Sequence, residues 1–219
     1  MKAWLKLLRP HQWVKSGFVF VGLLFGHAWH DAAVVQQVLL AAVAFSLAAS
    51  AVYVGNDIVD RERDRQHPDK RRRPLASGAI TPARAMAVGV SCVLAALGIS
   101  WLASPAAAAI IAAYLLLNVG YTLGLKHIVL LDVFIISAGF MLRILAGTLG
   151  VGIAPSHWLL LCGFMVTLFL GFAKRRAELK ALDGDASGHR QVLEDYDPVL
   201  LDKLIGVCAA ATIVTYSLY

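Results

Sequence analysis

The sequence predicts an all-α fold, a polytopic bundle of transmembrane helices, and three observations lead there. Hydrophobic residues make up 59% of the chain and charged residues 16%, with a mean hydropathy of +0.70, more apolar surface than a water-facing fold can hide. The excess is gathered into stretches of about 20 residues, the length a helix needs to cross hydrocarbon. The lysines and arginines fall almost entirely in alternate connections between those stretches.

Spans are expected at residues 16–34, 36–58, 84–103, 105–123, 128–150, 157–175 and 203–219, about seven in all. Before the first, Trp4 to Lys15 mixes aromatic, leucine and cationic residues, the composition of an interfacial anchor helix. No cleavable signal peptide is expected, because this segment lacks an apolar core followed by a small-residue cleavage site. Pro105 and Ser156 mark tight turns after the third and fifth spans. Cations cluster before span one (Lys2, Lys6, Arg9, Lys15) and after span two (Arg61 to Arg84). Others follow span four (Lys126) and span six (Lys174 to Lys203, Arg190 included). If the chain alternates, all of these share one side, which the positive-inside rule makes cytoplasmic. The last span has few residues after Lys203 and no polar flank, as an interrupted chain would. One membrane domain over residues 1–219 is the simplest division.

The net charge of +6 does not point to nucleic acid, since the basic residues flank membrane spans; anionic membrane lipids and phosphate-bearing substrates suit them better. Cys92, Cys162 and Cys208 lie inside apolar stretches without CxxC spacing and read as inert thiols. His27, His30 and Asp31 read as a polar turn beyond the first span.

Span two runs into Tyr53-Val-Gly-Asn56-Asp57-Ile-Val-Asp60-Arg-Glu-Arg-Asp64. On a continuous helix Asn56, Asp57, Asp60 and Asp64 share an arc of about 100°. Three carboxylates repel one another unless a cation sits among them. Hard oxygen ligands at a helix end select Mg²⁺ or Mn²⁺, which bind through a few carboxylates and the substrate's phosphate oxygens. The competing reading is a solvated helix end whose acids pair with neighbouring arginines. The loop His67 to Gly78 carries Lys70 and Arg71 to Arg73, a clamp for diphosphate charge that a metal leaves uncompensated.

The pattern Asn-Asp-x-x-Asp-x-x-x-Asp, followed by His67-Pro-x-Lys70 and Arg73-Pro-Leu-Ala-Ser-Gly78, resembles the first motif of the UbiA superfamily of polyprenyl transferases, and the resemblance covers the whole chain. Leu8-Arg-Pro-His-Gln-Trp-Val-Lys15 and Ala173-Lys-Arg-Arg-Ala-Glu-Leu179 resemble its decaprenyl-phosphate phosphoribosyltransferase branch. The resemblance implies a Mg²⁺-dependent transfer of phosphoribose from 5-phosphoribosyl 1-diphosphate to a polyprenyl phosphate, at a cytoplasm-facing site in the inner membrane. It implies metal ligation by Asn56 and Asp60 with Asp57 and Asp64 in support, and donor-phosphate contacts from Lys15, Tyr53, Lys70, Arg73, Lys174 and Arg175. Lys174 and Arg175 are expected to read the 5-phosphate. The aromatic prenyltransferases of the superfamily have a second acidic motif there, which this chain replaces with Lys174, Arg175, Arg176 and Glu178. The superfamily has nine helices, so two are expected to be missing here.

Lys126 and Arg143 are candidates for the acceptor phosphate. Lys126 reads equally as a headgroup anchor, and Arg143 as half of a structural ion pair inside span five. Tyr121, Asp132 and Glu178 would support the site. Oligomeric state stays open, a homo-oligomer included. Two other readings are a UbiA-type prenyltransferase acting on an aromatic or quinone precursor, and a transporter. The transporter would place its charges near the bilayer midplane rather than at helix ends.

Overall fold

The computed structural model describes residues 2–182 and 195–219; Arg190, one of the cations counted above, lies outside the described residues. The described chain is helical throughout: α1 Lys2–Leu8, α2 Val21–Phe25, α3 Ala32–Val59, α4 Arg61–Gln66, α5 Pro82–Ala103, α6 Pro105–Leu123, α7 Leu131–Ala146, α8 His157–Leu182 and α9 Pro198–Ser217, with short 3-10 segments between them. Among the described residues six helical segments are long and apolar enough to span a membrane: Ala32–Val59, Pro82–Ala103, Pro105–Leu123, Leu131–Val151, His157–Lys180 and Pro198–Ser217.

Two sequence expectations shift. The first apolar stretch, 16–34, is not one helix but a 3-10 segment, Pro10–Phe20, then the short α2 and a 3-10 turn, Ala28–His30. Hydropathy registers its composition, whereas backbone contact decides its path. A Cβ added to Gly147 would lie 1.7 Å from the Val19 carbonyl oxygen, and one added to Gly22 would lie 2.2 Å from that of Gly147. The chain here is laid against another backbone, which glycine alone permits. At the other end, α9 begins at Pro198, five residues before Lys203. The Asp197 carboxylate accepts from the Val199 N–H (2.9 Å), and Pro198 occupies the first turn, both strong helix-start features. The resulting 20 residues are enough to cross hydrocarbon.

The chain divides into two compact units, Met1–Val119 with Leu142–Ala154, and Gly120–Met141 with Pro155–Tyr219. In the first, α3 is the central element: Val38, Ala41, Ala44, Phe45, Ala48 and Ser50 are fully buried. Its small side chains let α5 approach closely, and a Cβ on Gly89 of α5 would sit 3.2 Å from Val54, the small-residue packing typical of membrane helices. A separate apolar cluster of Leu7, Val54, Leu75, Ile80 and Ala85, flanked by Trp4 and Ile58, binds α1, the C-terminal end of α3, the basic loop and the start of α5. It is the floor on which the charged residues stand. In the second unit Val133, Leu168, Phe172, Leu201 and Cys208 pack α7, α8 and α9 together. Leu94, Trp101, Leu102 and Leu116 on α5 and α6, and Val207 and Ile213 on α9, stay exposed, as lipid-facing residues do.

Candidate active site: arginine-bridged carboxylates at a helix end

Asp60 terminates α3 with φ −84° and ψ 3°, and α4 restarts at Arg61. The acidic face therefore continues across a break in the helix. Asp57 and Asp64 are 2% and 4% exposed, and one guanidinium joins them. Arg73 Nη1 donates to Asp57 Oδ1 at 3.1 Å and to Asp64 Oδ2 at 2.8 Å. Arg9 Nη2 donates to the same Asp57 Oδ1 at 2.6 Å, and its guanidinium lies 4.9 Å over the Tyr53 ring, a cation–π contact. Arg9 adopts a left-handed conformation, φ 52° and ψ 56°. The N-terminal segment is tied down beside it: Trp13 Nε1 donates to Ser50 Oγ (2.9 Å), Ser50 Oγ to the Leu8 carbonyl (2.8 Å), and Tyr53 Oη to Gln12 (3.3 Å). In the loop, His67 Nδ1 accepts from the backbone N–H groups of Asp69 and Lys70, and Arg65 Nε holds the Ala76 carbonyl.

Among the described residues no group of three His, Cys, Asp or Glu side chains is disposed to enclose a metal ion. The expected ligands Asn56, Asp57, Asp60 and Asp64 are brought to one helix end, but Arg73 stands between Asp57 and Asp64. The donor set still suits a hard divalent cation: every expected ligand offers oxygen, and Asp57 Oδ2 is buried without a hydrogen-bond partner. An orphaned carboxylate oxygen of this kind costs free energy unless a cation or a water completes it.

Deeper in the same unit, Arg143 is 5% exposed. Its Nη2 donates to Tyr114 Oη at 3.3 Å, and its guanidinium lies 4.9 Å over the Phe45 ring and 5.0 Å over that of Tyr114. These contacts seat the Arg143 guanidinium against α3 and α6. Lys15 sits half-buried nearby; burial first, then the positive charges of Arg143 and Arg9, hold its ammonium below the ordinary lysine range. Lysine and arginine brought together in this way make a natural site for an anion.

The second unit holds a closed network. Arg175 and Asp132, 1% and 0% exposed, pair at 2.7 Å, and Arg175 Nη1 also donates to Glu178 at 2.5 Å. Tyr196 Oη donates to Asp132 Oδ1 at 2.5 Å and accepts from the Leu130 N–H at 2.8 Å. Leu130 has φ 67°, a conformation few non-glycine residues adopt. Burial, then the hydrogen bond to Asp132 and its negative charge, push the Tyr196 phenol well above its usual range. Arg175, expected as a donor-phosphate contact, is thus buried with its Nε and Nη1 engaged by acids. Lys174 is exposed, with Nζ 3.9 Å from Glu178. Tyr121 and Lys126 are half-buried around the turn that follows α6.

The sequence reading missed Arg9 as a partner of Asp57, although it lies in the quoted Leu8-Arg9-Pro10 motif. It also missed Tyr196, which no spacing or motif marks.

The family model described as "UbiA prenyltransferase family" matches residues 16–219. The decaprenyl-phosphate phosphoribosyltransferase of Corynebacterium glutamicum is 38% identical over 98% of this chain and 66% of that protein. The enzyme of the same name from Mycobacterium tuberculosis is 35% identical over 98% of this chain and 72% of its own. The chain thus spans about two thirds of the length of these relatives. Among solved structures, a UbiA homologue from Archaeoglobus fulgidus bound to GPP and Mg²⁺ superposes with a TM-score of 0.81 at 18% identity, covering 98% of this chain and 76% of that one. Six spanning helices, a carboxylate-rich helix end bracketed by arginines and a family match over nearly the whole chain lead to one conclusion: this integral membrane protein belongs to the UbiA prenyltransferase family.

Proposed function

We propose that the chain is a Mg²⁺-dependent membrane transferase that moves phosphoribose from 5-phosphoribosyl 1-diphosphate to a polyprenyl phosphate such as decaprenyl phosphate. Its active site would face the cytoplasm from the inner membrane. The observation that carries the proposal is the end of α3, where Asp57 and Asp64 are cross-linked by Arg73 and Asp57 is also held by Arg9. Acids and arginines in one place suit a ligand with both metal-binding and cation-binding oxygens, as a diphosphate has. The names of the relatives support the donor and the acceptor.

Asn56, Asp60 and Asp64, with Asp57 Oδ2, would hold Mg²⁺, which when bound neutralises the diphosphate leaving group. Arg9 and Arg73 orient the diphosphate through N–H groups not spent on Asp57 and Asp64. Lys70, on the same loop, and Tyr53, under Arg9, complete the donor contacts. In the reaction the bond from ribose C1 to the diphosphate oxygen breaks and the electron pair leaves with diphosphate. An oxygen of the acceptor phosphate forms the new bond to C1. That oxygen is already anionic, so no protein group removes a proton, and positioning with electrostatics carries the rate. Arg143 is suited to the acceptor phosphate, and Lys15, expected from the sequence as a donor contact, is reassigned to the acceptor because the Arg143 charge acts on it. Lys174 and Lys126 remain proposed phosphate contacts, and Arg175 becomes a positioning residue with Asp132, Glu178 and Tyr196.

Labelled 5-phosphoribosyl 1-diphosphate incubated with the reconstituted protein and polyprenyl phosphate tests this reading. Label should enter the lipid phase, and chelation of divalent metal should stop it. Label that stays in water while a prenyl diphosphate is consumed would favour the prenyltransferase reading instead.

A further inference from the structure

A cavity of about 620 Å³ opens beside the arginine-bridged acids, formed wholly within the first unit. Lys6, Arg9, His11, Arg72 and Arg73 line it, and Leu5, Pro10 and Pro74 form its apolar walls. Its two carboxylates are Asp57, whose Oδ1 already carries Arg9 and Arg73, and Asp69. Four permanent cations therefore face two acids, and a positive excess remains. Lys6 and Arg72 are exposed, and among the described residues neither has a carboxylate within ion-pair distance. The rim is stiff, because each proline fixes its own φ. Arg9 holds its strained left-handed backbone at this rim, and such strain clusters at ligand clamps.

Of the four oxygen donors suited to a metal, only Asp57 lines this cavity; Asn56, Asp60 and Asp64 do not. A group bound toward Lys6, His11 and Arg72 is held by cations rather than through a metal. That separates the two charged ends of the proposed donor. Its diphosphate needs the metal-binding oxygens, whereas its 5-phosphate is a dianion that needs cations alone. Arg175 is 1% exposed, with Nε and Nη1 engaged by Asp132 and Glu178.

We infer that the part of the cavity bounded by Lys6, His11 and Arg72 is a phosphomonoester subsite, and that it reads the 5-phosphate of the sugar donor. The assignment of the phosphate to the donor rests on the function proposed above; the recognition of a phosphomonoester rests on the cavity itself. A lipid phosphate headgroup offers the same chemistry, because α1 also has the composition of an interfacial helix, so the test separates the two sources.

Binding of ribose 5-phosphate and of neutral ribose is measured by titration calorimetry on the full chain in detergent. Wild type is compared with Lys6→Ala, Arg72→Ala and the double variant, with Lys2→Ala, on the same helix but outside the cavity, as a charge control. Wild type and Lys2→Ala should bind ribose 5-phosphate and not ribose. Charge-assisted contacts to phosphate are strong, so each single variant should lose about tenfold and the double variant about 100-fold in affinity. In the transfer assay, the preference for 5-phosphoribosyl over ribosyl diphosphate, as a ratio of kcat/KM, should fall by a similar factor in the double variant. Unchanged ribose 5-phosphate affinity in the double variant overturns the subsite. A raised KM for the lipid acceptor with donor preference intact overturns its assignment to the sugar. Wild type that binds ribose 5-phosphate through Lys6 and Arg72 but transfers no phosphoribose would uphold the subsite while removing the proposed reaction.

Discussion

Replacing Arg73 with alanine should separate two effects that its position ties together. Arg73 Nη1 reaches Asp57 Oδ1 at 3.1 Å and Asp64 Oδ2 at 2.8 Å, so it neutralises two buried acids and, in our account, orients the donor diphosphate. Hydrogen bonds to charged groups contribute about 1.5–3 kcal/mol each, and removing one partner of a fully buried pair costs about 3–5 kcal/mol. Arg73 is 31% exposed and Arg9 remains on Asp57, so the cost falls below that of a fully buried pair, about 2–3 kcal/mol in stability. Donor kcat/KM should fall about 100-fold, since 1.4 kcal/mol is tenfold. Mg²⁺ affinity should move the other way, because the carboxylates lose a competing cation; half-saturation should occur at about tenfold lower metal. Arg73→Lys, which keeps the charge but loses the planar fork, should fall between wild type and alanine. Melting in detergent and initial rates over a Mg²⁺ titration measure all three quantities. Wild-type melting with wild-type donor kinetics would refute the reasoning. A parallel loss of metal affinity and donor use would show that Arg73 builds the metal site rather than competing with it.

Tyr196→Phe removes both hydrogen bonds made by the phenol, to Asp132 and from Leu130, and should lower the melting temperature of the membrane protein while leaving Mg²⁺ half-saturation near wild type; a large shift in metal dependence would count against a positioning role. Lys15, whose ammonium is held below the ordinary lysine range, loses its charge at lower pH than an exposed lysine. The KM for the acceptor phosphate should therefore rise as pH increases through that range, and Lys15→Arg, which keeps its charge, should flatten the alkaline limb; identical pH profiles would remove Lys15 from the site. Gly147→Ala places a methyl group against the Val19 carbonyl and should abolish recovery of monodisperse protein from membranes, whereas recovery at wild-type yield would show that this backbone contact is not made.

How much of this was legible in the sequence depends on distance along the chain. The periodicity of Asn56, Asp57, Asp60 and Asp64 shows the acidic face because helix geometry relates near neighbours, and it survives the break at Asp60. The competing solvated-end reading captured something real, since arginines do pair with these acids. Asp57 and Asp64 are held by Arg73, and Asp57 also by Arg9, 48 positions away. Nothing local encodes such a pairing. Residues 16–34 carry the composition of a span, yet glycine-mediated backbone contact turns them into short helical pieces. Arg143 was recognisable as a costly charge inside a membrane helix, but its neighbours Phe45 and Tyr114 come from two other helices and read as ordinary core. Asp132 is shared by Arg175 and Tyr196, and Tyr196 follows a long polar stretch with no periodic context to mark it.

The central claim is that a phosphate oxygen of a lipid, and not a carbon nucleophile, captures the group leaving diphosphate at the end of α3. Mass analysis of the lipid product formed by the reconstituted protein from unlabelled donor and polyprenyl phosphate tests it most directly. The account predicts a lipid heavier than the acceptor by one phosphoribosyl group, with one diphosphate released per product and neither formed in an Asp60→Asn variant that still inserts into the membrane. A polyprenylated aromatic product, or phosphoribosyl lipid formed equally well by Asp60→Asn, would contradict it.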